Sequence, residues 1–309
     1  MEKLLLIDAN SIIHRCYHAL PPLSSPSGEP SGALYGVSSI LLKITQNNPP
    51  HYIAACFDRP EPTFRKEKYK EYKAQRPPTP SDLISQIIAA KDIFRKFGIT
   101  VFESPGFEAD DIIATLAGKF GEEEGVAVEI LTGDRDTLQL VAGEKITVRF
   151  FRKGISDTVL YDEGQVVKDF NLKPRQLIDY KILIGDPSDN IKGVEGIGPK
   201  TAQAILAEYG NLPSAISDRS EKNKFKNKLP KSLEEIGLLR ELIVLRGDAP
   251  IGQVRISDLV FEVSKERLGK TFEDMGFESL KRRLSGESEA YKPPKTKPKQ
   301  PPNPQGKMF

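Results

Sequence analysis

The chain has 309 residues, of which 38% are hydrophobic, and its 45 basic and 43 acidic side chains leave a net charge of +2. That is enough apolar content for one large core or two smaller ones, while the balanced charge gives no global signal for nucleic acid, so such a signal must be local. Cys16 and Cys56 lie in separate apolar segments without a CxxC pair, which indicates neither a disulfide framework nor a zinc site and fits a reducing cytoplasm. No apolar run is long enough for a signal peptide or a membrane span, so a soluble intracellular protein without a membrane partner is expected.

In chain order, the run "KLLLID" ends in Asp8, the helical pattern "ALYGVSSILLKI" follows, and "YIAACFD" ends in Asp58. Next comes "EPTFRKEKYKEYKAQRPPTP", with six Lys or Arg against three Glu and with Phe64, Tyr69 and Tyr72 interleaved. Cations neutralise phosphates and aromatic faces stack bases, so this segment reads as a path for a single strand, with a solvated helix face as the alternative. The helical "DLISQIIAAKDIFRKFG" and the strand "ITVFES" lead to "GFEADDIIATLAGKF", an amphipathic helix whose first turn carries Glu108, Asp110 and Asp111. Capping accounts for one or two of these acids, and the third adds like-charge repulsion beside a buried surface. "VAVEILTG" is followed at once by Asp134 and Asp136, and "VRFFRKGISDTVLYD" reads as a hairpin. This alternation predicts an α/β fold with a mostly parallel sheet flanked by helices on both faces.

Residues 162 to 284 then read as short helices separated by Gly, Pro and Asn turns. Within them, "IGDPSDN" supplies Asp186 and Asp189. "NIKGVEGIGPKTAQAILAEYG" places Gly193, Gly196 and Gly198 ahead of a helix opening at Lys200. Glycines there permit a tight turn whose backbone N–H groups bind a phosphate oxygen, the helix-hairpin-helix pattern of sequence-independent backbone binding. "RSEKNKFKNKLPK" adds six basic residues, and the Pro- and Lys-rich stretch from Tyr291 is expected to be disordered or polyproline-like.

In an open α/β sheet, ligands bind outside the carboxyl ends of the strands. Asp8, Asp58, Glu108, Asp110, Asp111, Asp134, Asp136, Asp186 and Asp189 are therefore expected to share one crevice, where they cannot all ionise without a cation. Mg2+ or Mn2+ suits such oxygen donors, and two ions about 3.5–4 Å apart can clamp the attacking and leaving oxygens of a phosphoryl displacement. Phosphodiester hydrolysis follows.

Together, "LLIDANSIIHRCYHALPPL", "GEPSGALYGV", the basic segment, "PGFEADDIIATLA", "LTGDRDTLQLV" and "GDPSDNIKGVEGIGPKTA" resemble, from Lys3 to about Arg283, the 5′-to-3′ exonuclease or flap endonuclease region of bacterial DNA polymerase I, in its free-standing form. The resemblance implies a PIN-like core over residues 1–165 with a basic arch near 60–80. It further implies a helical helix-hairpin-helix subdomain over 166–285, ahead of a tail at 286–309. It assigns Asp8, Asp58, Glu108 and Asp110 to a first Mg2+ and Asp134, Asp136, Asp186 and Asp189 to a second, with Mn2+ able to substitute, and Asp111 matches a motif acid. Lys73 and Arg76 fall where family members set cations against the scissile phosphate. Tyr72 would stack a base, Arg15 and Arg65 would touch phosphates, and Gly196 and Gly198 would join a K+ site bridging to the duplex. The implied substrate is DNA with 5′ flaps, nicks or free 5′ ends, processed by a cytoplasmic monomer alongside a separate polymerase or ligase. Two alternatives compete with this reading: a PIN-like ribonuclease, and a non-catalytic module that binds DNA structures through the hairpin alone.

Overall fold

A computed structural model describes residues 1–287; the Pro/Lys-rich stretch expected as a tail lies outside the described residues apart from its first two positions. The elements run β1 (Glu2–Asp8), α1 (Ala9–Ala19), α2 (Gly32–Asn47), β2 (Tyr52–Phe57), α3 (Phe64–Lys68), α4 (Ser81–Lys96), β3 (Thr100–Glu103), α5 (Ala109–Gly121), β4 (Val126–Thr132), β5 (Ile146–Lys153) and β6 (Asp157–Tyr161). They continue with α6 (Glu163–Phe170), α7 (Gln176–Ile184), a two-stranded hairpin of β7 (Gly185–Asp186) and β8 (Ile191–Lys192), α8 (Pro199–Tyr209), α9 (Leu212–Ser217), α10 (Gly237–Ile243), α11 (Lys265–Asp274) and α12 (Glu278–Leu284).

The six-stranded sheet has the order β3-β2-β1-β4-β5-β6, parallel from β3 through β5, with β6 antiparallel to β5. β1 is central and both its faces are covered, so Leu4, Leu5, Leu6 and Ile7 are all buried, the near-continuous apolar run that a doubly covered parallel strand requires. Each such side chain contributes roughly 1.5–3 kcal/mol on leaving water.

Leu4 and Leu6 face α5 through Ile112, Ile113, Leu116 and Phe120, and that core continues without a break into the helical half through Ile182, Leu183, Ile205 and Leu206. Leu5 and Ile7 face α1, α2 and α4 on the other side, where Leu268, Phe272 and Leu280 of α11 and α12 join the same cluster. The helical half thus splits between the two faces of the sheet. Gly98 marks the crossing: at φ +78, a Cβ there would stand 2.0 Å from the Glu262 carbonyl oxygen of the segment leading back to α11.

Parallel strands put every carboxyl end on one edge. β1 ends at Asp8, β2 is followed by Asp58, β4 is followed by Asp134, and α5 begins at the same edge.

Candidate metal centre and nucleic-acid interface

That edge opens into a cavity of about 220 Å³ lined by Asp8, Asp58, Glu108, Asp110 and Asp134, with Lys73 and Arg76 at its wall. Backbone geometry fixes the acids. Asp8 caps α1, accepting the Ser11 N–H at 3.0 Å while its other oxygen accepts the Thr132 hydroxyl at 2.6 Å. Asp58 accepts the Ala109 N–H at 2.7 Å, tying β2 to the first turn of α5. Asp134 accepts the Asp136 N–H at 2.8 Å and so opens a short 3-10 helix, Arg135–Leu140, that turns Asp136 towards the helical half.

A second group forms there. Asp136, Asp186 and Asp189 each bring a carboxylate oxygen within 4.8 Å of the others. Lys181, on the last turn of α7, sits among them, donating to Asp136 and, at 2.7 Å, to Asp186. Lys181 belongs to none of the sequence motifs named above. Its signal was a cation five residues before Asp186 in the otherwise apolar stretch "KILIGD".

The charges are under stress. Burial pushes the Asp8 carboxyl from 3.8 up to about 7, and the nearby Asp58 and Asp134 add to this against the Thr132 and Ser11 hydrogen bonds. Burial, reinforced by Asp8, Asp134 and Asp58, drives Asp110 well above its ordinary value, and burial raises Asp58 too. Asp136 reaches about 7, burial and its acidic neighbours outweighing Lys181. One oxygen of Asp110 is buried with no hydrogen-bond partner. A buried carboxylate oxygen without a donor, among acids that resist ionising, suits a divalent cation, and the all-oxygen donor set suits Mg2+ or Mn2+.

The segment expected as a basic arch is one short helix, α3, followed by turns folded onto both acid groups. Lys73 donates to one Glu108 oxygen at 2.8 Å and Arg76 to Asp189 at 2.6 Å. Burial alone would lower the Lys73 ammonium, but Glu108 and Asp189 hold it above its ordinary value. Lys73 lies in the left-handed region at φ +54, held there by its N–H to the Asp189 carbonyl at 3.0 Å. Gln75 to Pro187 and Asn190 to Glu71 complete the latch.

Four sequence expectations meet a different geometry. Asp111 is fully buried, and its oxygens take Arg65 at 2.7 and 2.8 Å plus the N–H groups of Glu108 and Arg246, so it ties α3 to the start of α5 and does not line the acid cavity. Arg65 is 1% exposed and spent on that contact, so it offers no donor to a phosphate. Tyr72 is 3% exposed, its hydroxyl donating to Glu108 or Asp189, both at 3.0 Å, and its buried ring presents no face for a base. Arg15 donates to the carbonyls of Gly154 and Phe151 at 3.0 and 3.1 Å, which fixes the β5–β6 hairpin beside α1.

In the helical half, α7 and α8 flank the β7–β8 hairpin and the turn of Gly193 to Gly198. Gly193 packs backbone to backbone, since a Cβ there would lie 2.3 Å from the Gly185 nitrogen. Gly196 at φ +76 and Gly198 point into open space, Lys200 is exposed, and buried Ile197 anchors the turn. Pro199, the first residue of α8, has no N–H and the Ala202 N–H donates to the Gly198 carbonyl at 2.9 Å, so the N–H groups of Lys200 and Thr201 are the opening donors without a carbonyl one turn earlier.

The fold and site now place the chain in a class. Residues 3–171 match the family described as 5′-3′ exonuclease, N-terminal resolvase-like domain, and residues 172–267 match 5′-3′ exonuclease, C-terminal SAM fold. The chain belongs to this 5′-3′ exonuclease family. It is 38% identical over 252 residues to the 5′-3′ exonuclease of Aquifex aeolicus, covering 81% of this chain and 84% of that one. It is 39% identical over 284 residues to DNA polymerase I of Mycobacterium tuberculosis, covering 91% of this chain but spanning only 31% of the polymerase. Among solved structures, a complex of the bacteriophage T5 flap endonuclease with DNA and metal ions shares the fold at TM-score 0.61 and 22% identity, over 93% of this chain and 99% of that one. The catalytic core of Rad2 with DNA substrate does so at 0.57 and 18%, over 92% of each chain.

Proposed function

We propose that this 5′-3′ exonuclease family member hydrolyses DNA as a metal-dependent, structure-specific nuclease acting at 5′ flaps, nicks and free 5′ ends, including RNA-primed ends left by replication and ends arising in repair. The observation that carries the reading is the pairing of two partly buried carboxylate groups with Lys73 and Arg76 laid across them at the carboxyl edge of the sheet. Asp8, Asp58, Glu108 and Asp110 would hold one Mg2+ and Asp134, Asp136, Asp186 and Asp189 another, with Mn2+ as a substitute.

Bound there, the ions supply Lewis-acid activation of water and charge neutralisation on the phosphate. Hydrolysis adds water across the bond from phosphorus to the 3′ oxygen, leaving a 5′-phosphate and a 3′-hydroxyl. Lys73 and Arg76 have the reach and charge to offset the negative charge that builds on the phosphate oxygens as that bond breaks. Asp58, tied to the start of α5, and Thr132, tied to Asp8, hold the acids in register. The exposed Gly196–Gly198 turn and Lys200 would grip the duplex backbone, with K+ as a bridge, and so set where the cut falls. We infer a monomer working in the cytoplasm beside a polymerase or ligase.

The test compares a duplex-anchored 5′ flap with free single-stranded RNA of matched length, each in Mg2+. Rapid cutting near the flap junction with little RNA turnover is expected. RNA cleaved as fast as the flap would favour a PIN-like ribonuclease instead.

A further inference from the structure

We infer that Arg65 is a positioning residue for Glu108 and for the first turn of α5, and makes no contact with the DNA backbone. The inference rests on the nuclease reading and deepens it. A guanidinium has five N–H donors in a fixed fork. Here all five are spent inside the protein. Nε donates to the Leu242 carbonyl at 2.8 Å. Nη1 donates to Asp111 at 2.7 Å and to Glu108 at 3.4 Å, and Nη2 to Asp111 at 2.8 Å and to the Val244 carbonyl at 3.0 Å. The Phe64 ring closes one side, its centroid 4.5 Å from the guanidinium carbon.

The connections lead to the acids. Asp111, fixed by Arg65, accepts the Glu108 N–H at 3.1 Å and the Arg246 N–H at 2.8 Å, so one buried pair joins α3, the start of α5 and the 242–246 segment. Arg65 also touches the Glu108 oxygen that receives the Tyr72 hydroxyl, while the opposite oxygen receives Lys73. The direction in which Glu108 faces the cavity, and with it the seat of Lys73, therefore depends on a residue that solvent does not reach. A lysine cannot replace this fork, because a single ammonium cannot grip Asp111 with two parallel bonds and still meet two carbonyls.

The experiment uses the full chain and Arg65→Lys, confirmed folded by thermal melting. Two readouts are taken: Mn2+ affinity without DNA, by electron paramagnetic resonance, and the salt dependence of binding to a 5′ flap in EDTA. Partners behind metal ligands typically change metal affinity or activity by 10–100-fold, so Mn2+ affinity should fall by at least about tenfold in Arg65→Lys. The slope of log K against log salt, read in Arg65→Gln because a lysine would keep the charge that the slope counts, should stay unchanged, because no phosphate contact is altered. A slope shallower by about 0.9, the value for one lost phosphate contact, would overturn the inference, as would an unchanged Mn2+ affinity. If Arg65→Lys does not fold, Asp111→Asn carries the same test: it keeps Arg65 but weakens its anchor, and unaltered Mn2+ affinity there overturns the inference equally. Wild type is assayed for flap cleavage in parallel. Wild type that never cuts removes the nuclease reading itself, whereas a cutting wild type with a failed Arg65 prediction removes only the positioning role.

Discussion

Lys73 lies in an unusual backbone conformation with its ammonium on Glu108, at the wall of the acid-lined cavity. In the proposed reaction a cation there acts mainly as charge builds on the phosphate, and far less in holding the flap. Lys73→Ala should therefore slow single-turnover flap cleavage on the order of 10²-fold or more, in line with the loss of one preorganised donor. Its flap affinity, read by anisotropy, should change only a few-fold, and equal losses in rate and affinity would contradict the role. Asp8 and Asp136 make a second prediction. Each has its folded-state value raised from 3.8 to about 7, so the folded protein retains protons that the unfolded chain gives up. A raised value contributes stability that is present in full below about 3.8 and is lost as pH climbs through about 7. Metal-free protein should accordingly melt lower as pH rises from 5 to 8, by at least a few degrees, and saturating Mg2+ should flatten that trend. Asp110→Asn, which replaces a carboxyl whose charged form is disfavoured by burial and by Asp8, Asp134 and Asp58, should melt no lower than wild type in EDTA at pH 8 while losing activity, the usual trade between site and stability. A metal-free melting temperature that climbs with pH would refute the account of these acids.

At the scale of elements, three structures converge: the carboxyl edge of the sheet, the first turn of α5, and the latch between residues 71–76 and 187–190. The first two were legible in the sequence. "KLLLID" and "YIAACFD" end in acids, and alternation of strand and helix puts such ends on one edge. "FEADD" precedes an unmistakable helical period. The latch was not legible, because alternating Glu and Lys describe a solvated helix equally well, and nothing local says that Lys73 and Arg76 turn inward onto acids more than 30 and 110 positions away. For the same reason Asp111 reads as one more of the nine acids sharing the crevice. Its partner is 46 residues earlier, and only the fold reveals that the pair neutralises itself. The hairpin before α8 was legible from its glycines, and it yields a prediction at this scale. Since Gly198 faces open space at the start of an 11-residue helix, a side chain fits there, and Gly198→Glu should leave the melting temperature nearly unchanged. A carboxylate facing the dipole's phosphate site should weaken duplex binding about tenfold, or roughly 1.4 kcal/mol. Unchanged affinity would remove α8 from the interface.

Across the whole molecule, one sheet serves two purposes. Its α5 face runs into the helical half, so the acids of β1, β2 and β4 and those beside α7 share a continuous core rather than meeting across a hinge. Its other face is sealed by α1, α2 and α4 and then by α11 and α12 returning from the end of the described chain. That return was beyond the sequence, because an amphipathic helix shows that it buries a stripe without showing against which surface. Among the described residues, no helix is long and apolar enough to cross a membrane. The assembled fold gathers partly buried carboxylates at one edge of the sheet and leaves the glycine turn before α8 exposed in the helical half. The most direct test is cleavage of a 5′-labelled flap duplex by wild type and by Asp110→Asn, each with Mg2+ and with EDTA. Cutting near the junction by wild type in Mg2+ alone, lost in the variant and in EDTA, is the result this account predicts; flap cutting that persists in EDTA or in Asp110→Asn would contradict it.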